Sequence, residues 1–188
     1  MKNLDQEHIH TITKALKEGE TCLLPTDSGY EIVCDATNEN AVIRAFSLID
    51  LPKAHNYSII VKHIDQIGRY TKEIPEIAEE LLNVAISPLI LVLPSACGLP
   101  QAVISNTGKA PFRVIAEGII SNILQKLQFP LLALPTSGDY SRITTSLDSV
   151  PNEIVSKIPI SIATIQYDCK SPSIIELGLG GEVKIIKN

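Results

Sequence analysis

Two short polar segments and one isolated cation carry most of the chemistry this chain offers. Pro25-Thr26-Asp27-Ser28-Gly29-Tyr30 packs two hydroxyls, a carboxylate and a phenol between two apolar runs, exposing them at strand ends. α/β sheets commonly hold ligands at such ends, and the same residues also make a tight turn, which is the plainer reading. In Leu51-Pro52-Lys53-Ala54-His55-Asn56, Lys53 and His55 suit an anion and Asn56 can bond a ligand amide or carboxylate; an exposed polar loop is the competing reading. Arg113 stands inside the apolar run Phe112-Arg113-Val114-Ile115 and is one of four arginines. A guanidinium there needs an internal ion-pair partner or a cleft to point into, and both readings stay open.

The elements that position these groups follow from periodicity. Asn3 and Gln6 resemble a capping box, after which Ile9, Ile12 and Leu16 recur at helical spacing until Gly19. Short apolar runs bounded by breakers predict strands over 21–24, 31–34, 57–61, 89–93, 112–115, 131–134, 160–165, 174–177 and 183–186. Asn38 is placed to cap a helix carrying Val42, Phe46 and Ile49, which Pro52 ends. A short helical stretch through Ile64 and Ile67, a helix opened by Pro75, and one over 118–127 complete the pattern. Some strands follow each other directly and others are separated by helices. That mixture predicts a single α/β domain over 1–188 around a twisted mixed sheet with flanking helices.

Composition narrows the function. With 188 residues, 45% of them apolar, the chain can bury roughly 70% of its unfolded surface and needs no disulfide or metal to fold. Sixteen Lys and Arg against 21 Asp and Glu leave a net charge of −5, which argues against a basic nucleic-acid coat but allows a local basic cleft. Cys22, Cys34, Cys97 and Cys169 form no C-x-x-C pair and lie near no spaced histidines, so zinc is not expected. Cys22 and Cys34 read as small buried thiols. With no leader-like start and no apolar run of membrane length, the expectation is a soluble, cytoplasmic protein without a membrane partner. Gly178-Leu179-Gly180-Gly181 lies between two strands and reads as a hairpin turn rather than a phosphate loop. Ser28 and Ser137 sit in no nucleophile elbow.

The ordered set of Pro25 to Tyr30, Cys34-Asp35-Ala36, Leu51 to Asn56, Phe112-Arg113-Val114 and Ser173-Ile174-Ile175-Glu176-Leu177 resembles the YrdC/YciO-like family of translation-related proteins, from about residue 8 onward. The PTDSGY and LPxxHN segments look like its YciO branch. The resemblance implies a YrdC-like twisted mixed sheet with a large, concave, positively charged cleft. It also implies relatedness to L-threonylcarbamoyladenylate synthases, which join L-threonine, bicarbonate and ATP for the threonylcarbamoyladenosine modification of tRNA. Some members are described as binding double-stranded RNA or aiding ribosome maturation. By the same resemblance, Thr26 and Tyr30 match the threonine side of the cleft, Lys53 and His55 the loop near the phosphates, Arg113 an anion contact, and Ser173 a hydroxyl near the end of the site. The implied partners are a nucleotide or another phosphate-bearing small molecule and tRNA or double-stranded RNA. ATP or AMP with Mg²⁺ is the implied cofactor set; the residues themselves fix no resident cofactor, and Asp27 and Asp35 read as structural carboxylates before Mg²⁺ neighbours.

The sequence departs from the synthase pattern at two places. Ile49 and Leu51 occupy the positions of a Lys-x-Arg pair, and Leu134-Pro135-Thr136-Ser137-Gly138 supplies no Asn for the Ser-x-Asn motif. Each lost cation near a transferring phosphoryl group costs about 10²-fold in rate. The expectation is therefore a divergent member that binds a phosphate-bearing ligand with weak or no synthesis. The alternative is an active synthase whose cations come from elsewhere, with Lys53, Lys62 and Lys109 as sources.

Overall fold

A computed structural model describes residues 6–49, 56–162 and 169–187. In chain order the elements are α1 (Gln6–Lys17), β1 (Cys22–Thr26), β2 (Gly29–Asp35), α2 (Glu39–Ser47), β3 (Ser58–Val61), α3 (Ile77–Val84), β4 (Leu89–Leu93), β5 (Ala110–Val114), α4 (Gly118–Leu124), β6 (Leu131–Pro135), α5 (Asn152–Val155), β7 (Ile160–Ser161), β8 (Ser173–Leu177) and β9 (Val183–Lys187). The strands form one mixed sheet in the order β7-β1-β2-β6-β3-β5-β4-β8-β9. β1/β7, β3/β5 and β4/β8 pair in parallel, and the other neighbours are antiparallel.

Alternation along the strands divides the apolar residues between two faces. Leu23, Ile32, Ile59, Phe112 and Leu132 pack beneath Val42 and Phe46 of α2 and Ala78 of α3. The opposite face sends Cys22, Leu24, Val33, Ile60 and Leu131 against Ile12 and Leu16 of α1 and Ile120 and Ile123 of α4. Further along that second face, Ile90, Val92 and Ile174 gather around Tyr140. Both interior thiols are buried, and desolvation pushes Cys22 up to about 12.

Each of the nine expected strands has a counterpart, with shifted ends. β1 and β6 run through Pro25 and Pro135, and β5 contains Pro111. A proline interrupts a ladder only where a second neighbour needs its N–H. β7 meets β1 at Cys22 and Leu23, β3 meets β5 from Phe112 onward, and β3 meets β6 no further than Ala133, so all three prolines lie just outside the two-sided pairing. Asn38 caps α2 as expected, its side-chain oxygen accepting from Ala41 N at 3.1 Å. The helix expected over 118–127 ends at Leu124 and tightens into three-residue turns, with Lys126 N donating to Ile123 O at 2.9 Å and Leu127 N to Leu124 O at 3.1 Å. The stretch through Ile64 and Ile67 is a 3₁₀ turn over Ile64–Arg69. Gly178 to Gly181 forms the β8–β9 hairpin connection, as read from sequence. Asn3 and the part of the 160–165 strand beyond Ile162 lie outside the described residues.

Candidate functional site: a buried Arg113 centre and an open cleft

Register places four polar side chains on one face of the sheet. Glu31 lies opposite Leu24, and Arg113 lies between Ile60 and Ile90, so both charged groups point to the face that carries α1 and α4. Ser58 and Thr26 join them by the two-residue alternation. Arg113 and Glu31 are fully buried. The Arg113 Nη2 donates to Glu31 Oε2, and Nη1 donates to Ser28 Oγ at 2.7 Å while lying 3.4 Å from Asp27 Oδ1. Thr26 Oγ1 donates to the same Glu31 oxygen at 2.6 Å. Tyr140, from the loop after β6, closes the group from above. Its hydroxyl donates to Glu31 Oε1 at 2.8 Å and stands 3.3 Å from Ser58 Oγ, and the Arg113 guanidinium carbon lies 5.9 Å from its ring centroid. Arg113 Nε has no hydrogen-bond partner among the described residues.

Such a centre is costly to bury and stable once paired. Desolvation works against the Arg113 charge, but the Glu31 and Asp27 carboxylates outweigh it and hold the guanidinium above its ordinary value. Burial, then the Glu31 charge, pushes the Tyr140 phenol well up, so it remains a donor. Asp27 is raised because burial outweighs the pull of Arg113.

Asp27 also lines an open cleft of about 680 Å³ whose other charged walls are Lys62, His63, Asp65, Glu79 and Lys170. Val114, Ala116, Pro88 and Leu89 lie in the same cleft, at the end of β5 and the start of β4. Among the described lining residues, two lysines and a histidine face three carboxylates, so the cleft carries both signs. None of Lys62, His63 and Lys170 is in a salt bridge among the described residues. A smaller concavity of about 320 Å³ brings Ile49 together with Thr136, Ser137 and Lys157. The two hydroxyls there serve their own loop: Thr136 Oγ1 meets Thr144 Oγ1 at 2.9 Å, and Ser137 Oγ donates to Asp139 O at 2.6 Å.

The sequence-derived site residues are therefore separated. Thr26 and Arg113 meet through Glu31 and Ser28. Tyr30 sits on the other face of the sheet, with its hydroxyl donating to Ile162 O at 2.9 Å. Ser173 opens β8 opposite Leu89 of the cleft wall, its N–H donating to Pro88 O at 3.0 Å. Asn56 is half-buried just ahead of β3, and Lys53 and His55 lie outside the described residues. The expectation that the Pro25–Tyr30 turn exposes its side chains is corrected: Thr26, Ser28 and Tyr30 are buried. The segment around Thr144 covers them, accepting from Tyr30 N at 2.8 Å. A Cβ on Gly29, whose φ is +98°, would come within 2.7 Å of Ile143. Asp27 lies in the turn before β2 and Asp35 ends that strand, Asp27 beside Arg113 and Asp35 accepting from Thr37 N at 2.8 Å, so they do not fit a shared Mg²⁺. Sequence reading missed Glu31, Ser58 and Tyr140. Glu31 did give a signal, a carboxylate in the apolar run Gly-Tyr-Glu-Ile-Val-Cys that mirrors Arg113; Tyr140, in a polar loop, gave none.

A nine-stranded mixed sheet, helices on both faces and an open cleft beside a paired buried arginine define a particular class of α/β domain. The family model Sua5_yciO_yrdC, described as telomere recombination, matches residues 14–188, and the chain belongs to that family. A threonylcarbamoyl-AMP synthase of Pyrococcus abyssi (strain GE5 / Orsay) is 26% identical over 158 residues, covering 84% of this chain and 46% of that protein. The chain thus spans about half the length of that relative. The protein YciO of Escherichia coli (strain K12) is 24% identical over 158 residues, covering 83% of this chain and 75% of its own. Among solved structures, P. abyssi Sua5 complexed with L-threonine superposes with a TM-score of 0.83 at 25% identity, over 94% of this chain and 52% of that one. E. coli YciO gives 0.84 at 19% identity over 99% and 91%, and HypF in its phosphate- and nucleotide-bound form 0.77 at 17% over 95% and 28%. The chain is accordingly a distant relation of threonylcarbamoyl-AMP synthases, and no helix among the described residues is long and apolar enough to cross a membrane.

Proposed function

We propose that this chain is a divergent YciO-type protein that binds a nucleotide or another phosphate-bearing ligand in the 680 Å³ cleft, and that it makes L-threonylcarbamoyladenylate weakly or not at all. The observation that carries the reading is the contrast at Asp27. On its inner side the Arg113 charge is consumed by Glu31 beneath Tyr140, and on its outer side Lys62 and Lys170, with His63 beside them, are in no salt bridge among the described residues. The outer cations suffice to hold a phosphate. Adenylyl transfer asks for more, because charge developing on the phosphates must be met by preorganised donors. Ile49 and Leu51 offer none, and the hydroxyls of Thr136 and Ser137 are committed to their own loop. Relatives that bind L-threonine, phosphate and nucleotide support the ligand class.

Titration calorimetry of the full chain with ATP, AMP and a short RNA duplex tests the binding. Saturable nucleotide binding that Lys170→Ala weakens is the expected result; no heat with any of the three removes the reading. Duplex binding in place of nucleotide binding, falling steeply with added salt, would assign the cleft to RNA instead.

A working synthase is the second reading, favoured by Lys157, which shares the 320 Å³ concavity with Ile49 and Ser137. Of the other candidate cations, Lys109 is held by Glu176 at 2.8 Å and is not available. Pyrophosphate released from ATP only when L-threonine and bicarbonate are both present, and lost in Lys157→Ala, would establish this reading over the first.

A further inference from the structure

A pocket of about 360 Å³ opens where the segments after β3 and after α4 meet, and nothing above assigns it a role. Lys62, Gln66 and Arg69 come from the chain leaving β3, and Gln128 and Phe129 from the loop entering β6, the neighbour of β3 in the sheet. Among the described residues its lining includes two full cations and no carboxylate, in a chain whose net charge is −5. Neither cation has an ion-pair partner among the described residues.

Gln66 adds a second, independent observation. Its side-chain oxygen accepts from Lys62 N at 2.8 Å and from His63 N at 3.2 Å. Two backbone donors fix the amide orientation, because the flipped amide would set its NH₂ against two N–H groups. The amino end of Gln66 is therefore a prepositioned donor. Every charged or orientation-fixed group here thus donates, whereas the larger cleft mixes signs. Tyr70 and Phe129, both half-buried, provide flat apolar surface in the same pocket. Its volume is that of a small-molecule site, which lies at roughly 300–1,000 Å³.

We propose that this pocket binds a small phosphate monoester carrying a planar ring, with the oxyanion at Lys62, Gln66 and Arg69 and the ring against Tyr70 or Phe129. It is separate from the cleft reading, although Lys62 and His63 border both cavities. The Arg69 fork contributes charge-assisted hydrogen bonds to the oxyanion, and its loss weakens binding about tenfold.

The test is an amide NMR titration of the full ¹⁵N-labelled chain with AMP and, separately, inorganic phosphate. Expected are AMP-induced shifts in 62–70 and 125–129, weakened about tenfold by Arg69→Ala and reduced by Gln128→Ala. Lys170→Ala should leave the shifts at 66–70 and 125–129, which do not border the cleft, unchanged, and inorganic phosphate should move the 66–69 amides more weakly than AMP does. All three variants alter exposed side chains, and an unchanged thermal midpoint confirms that they fold. Shifts confined to Asp27, Val114, Ala116 and Lys170 would overturn this proposal while upholding the cleft reading. Shifts in the pocket alone would support the proposal and remove nucleotide from the cleft. AMP shifts at neither place, or pocket shifts with an RNA duplex only, would overturn it.

Discussion

Arg113 and Lys170 both lie near Asp27, yet they belong to opposite regimes. Arg113 is fully buried, its guanidinium held chiefly by the Glu31 carboxylate on a strand three places away in the sheet and capped by a phenol. Lys170 stands on the cleft wall, tied through its backbone N–H to Asp27 O at 3.0 Å, with its ammonium unpaired among the described residues. A buried charge that already has its counterion gains little from a ligand, because the ligand must compete with that counterion. An open charge gains whatever the ligand offers above water. On the proposed reading, the inner group serves stability and the outer one recognition.

Breaking the inner group should produce the largest effects. Glu31→Leu leaves the Arg113 charge without its main partner and should cost about 3–5 kcal/mol of unfolding free energy in urea. Adding Arg113→Met to the same chain should restore most of that loss, since two apolar groups need no pairing. A double variant no more stable than Glu31→Leu alone would mean that the pair does not account for the cost. Tyr140→Phe should be milder, about 1–3 kcal/mol, for it removes one donor to Glu31 and leaves Ser58 without the phenol oxygen. No change would show that water replaces the hydroxyl and that the loop does not seal the centre.

The same contrast explains what could be read from the chain. Strands such as Leu89–Leu93 and Leu131–Pro135 announce themselves because burial on both faces demands unbroken apolar runs. Arg113 is conspicuous for the same reason, since a guanidinium in such a run needs either an internal partner or a cleft. Deciding between them required knowing that β2, β6, β3 and β5 are consecutive in the sheet, which brings Glu31 to Arg113 across 82 residues of chain. No local pattern encodes that order. Burial of the Thr26–Tyr30 turn depends likewise on a distant segment, the one around Thr144, whose polar sequence gives no hint that it covers anything. Gln66 shows the limit at closest range: only its hydrogen bonds to Lys62 and His63 reveal which end of the amide faces outward.

The outer group should answer to ligand rather than to denaturant. Lys170→Ala should weaken nucleotide binding in the cleft by about tenfold, with an unfolding midpoint close to that of the parent chain, as an exposed lysine contributes little to stability. A loss of stability without a loss of affinity would place Lys170 with Arg113 and erase the division.

Asp27 sharpens the comparison most finely, because it borders both groups and its effect is the smallest. Burial raises its pKa from 3.8 despite the pull of Arg113. A carboxylate with a raised folded-state value binds its proton more tightly in the native state than in the unfolded chain. Its contribution to stability therefore improves as pH falls through the folded value, and the gain is complete below about 3.8. Other carboxylates titrate over the same range, so the useful quantity is the difference in urea midpoint between the parent chain and Asp27→Asn, followed from about pH 7 to about pH 4. That difference should shift in favour of the parent chain on acidification, and only slightly, since the Asp27 side chain is 32% exposed and water screens it. The opposite trend would mean that the attraction of Arg113 exceeds the cost of burial. Asp27 would then be a second counterion of the inner centre rather than a carboxylate strained between the two regions.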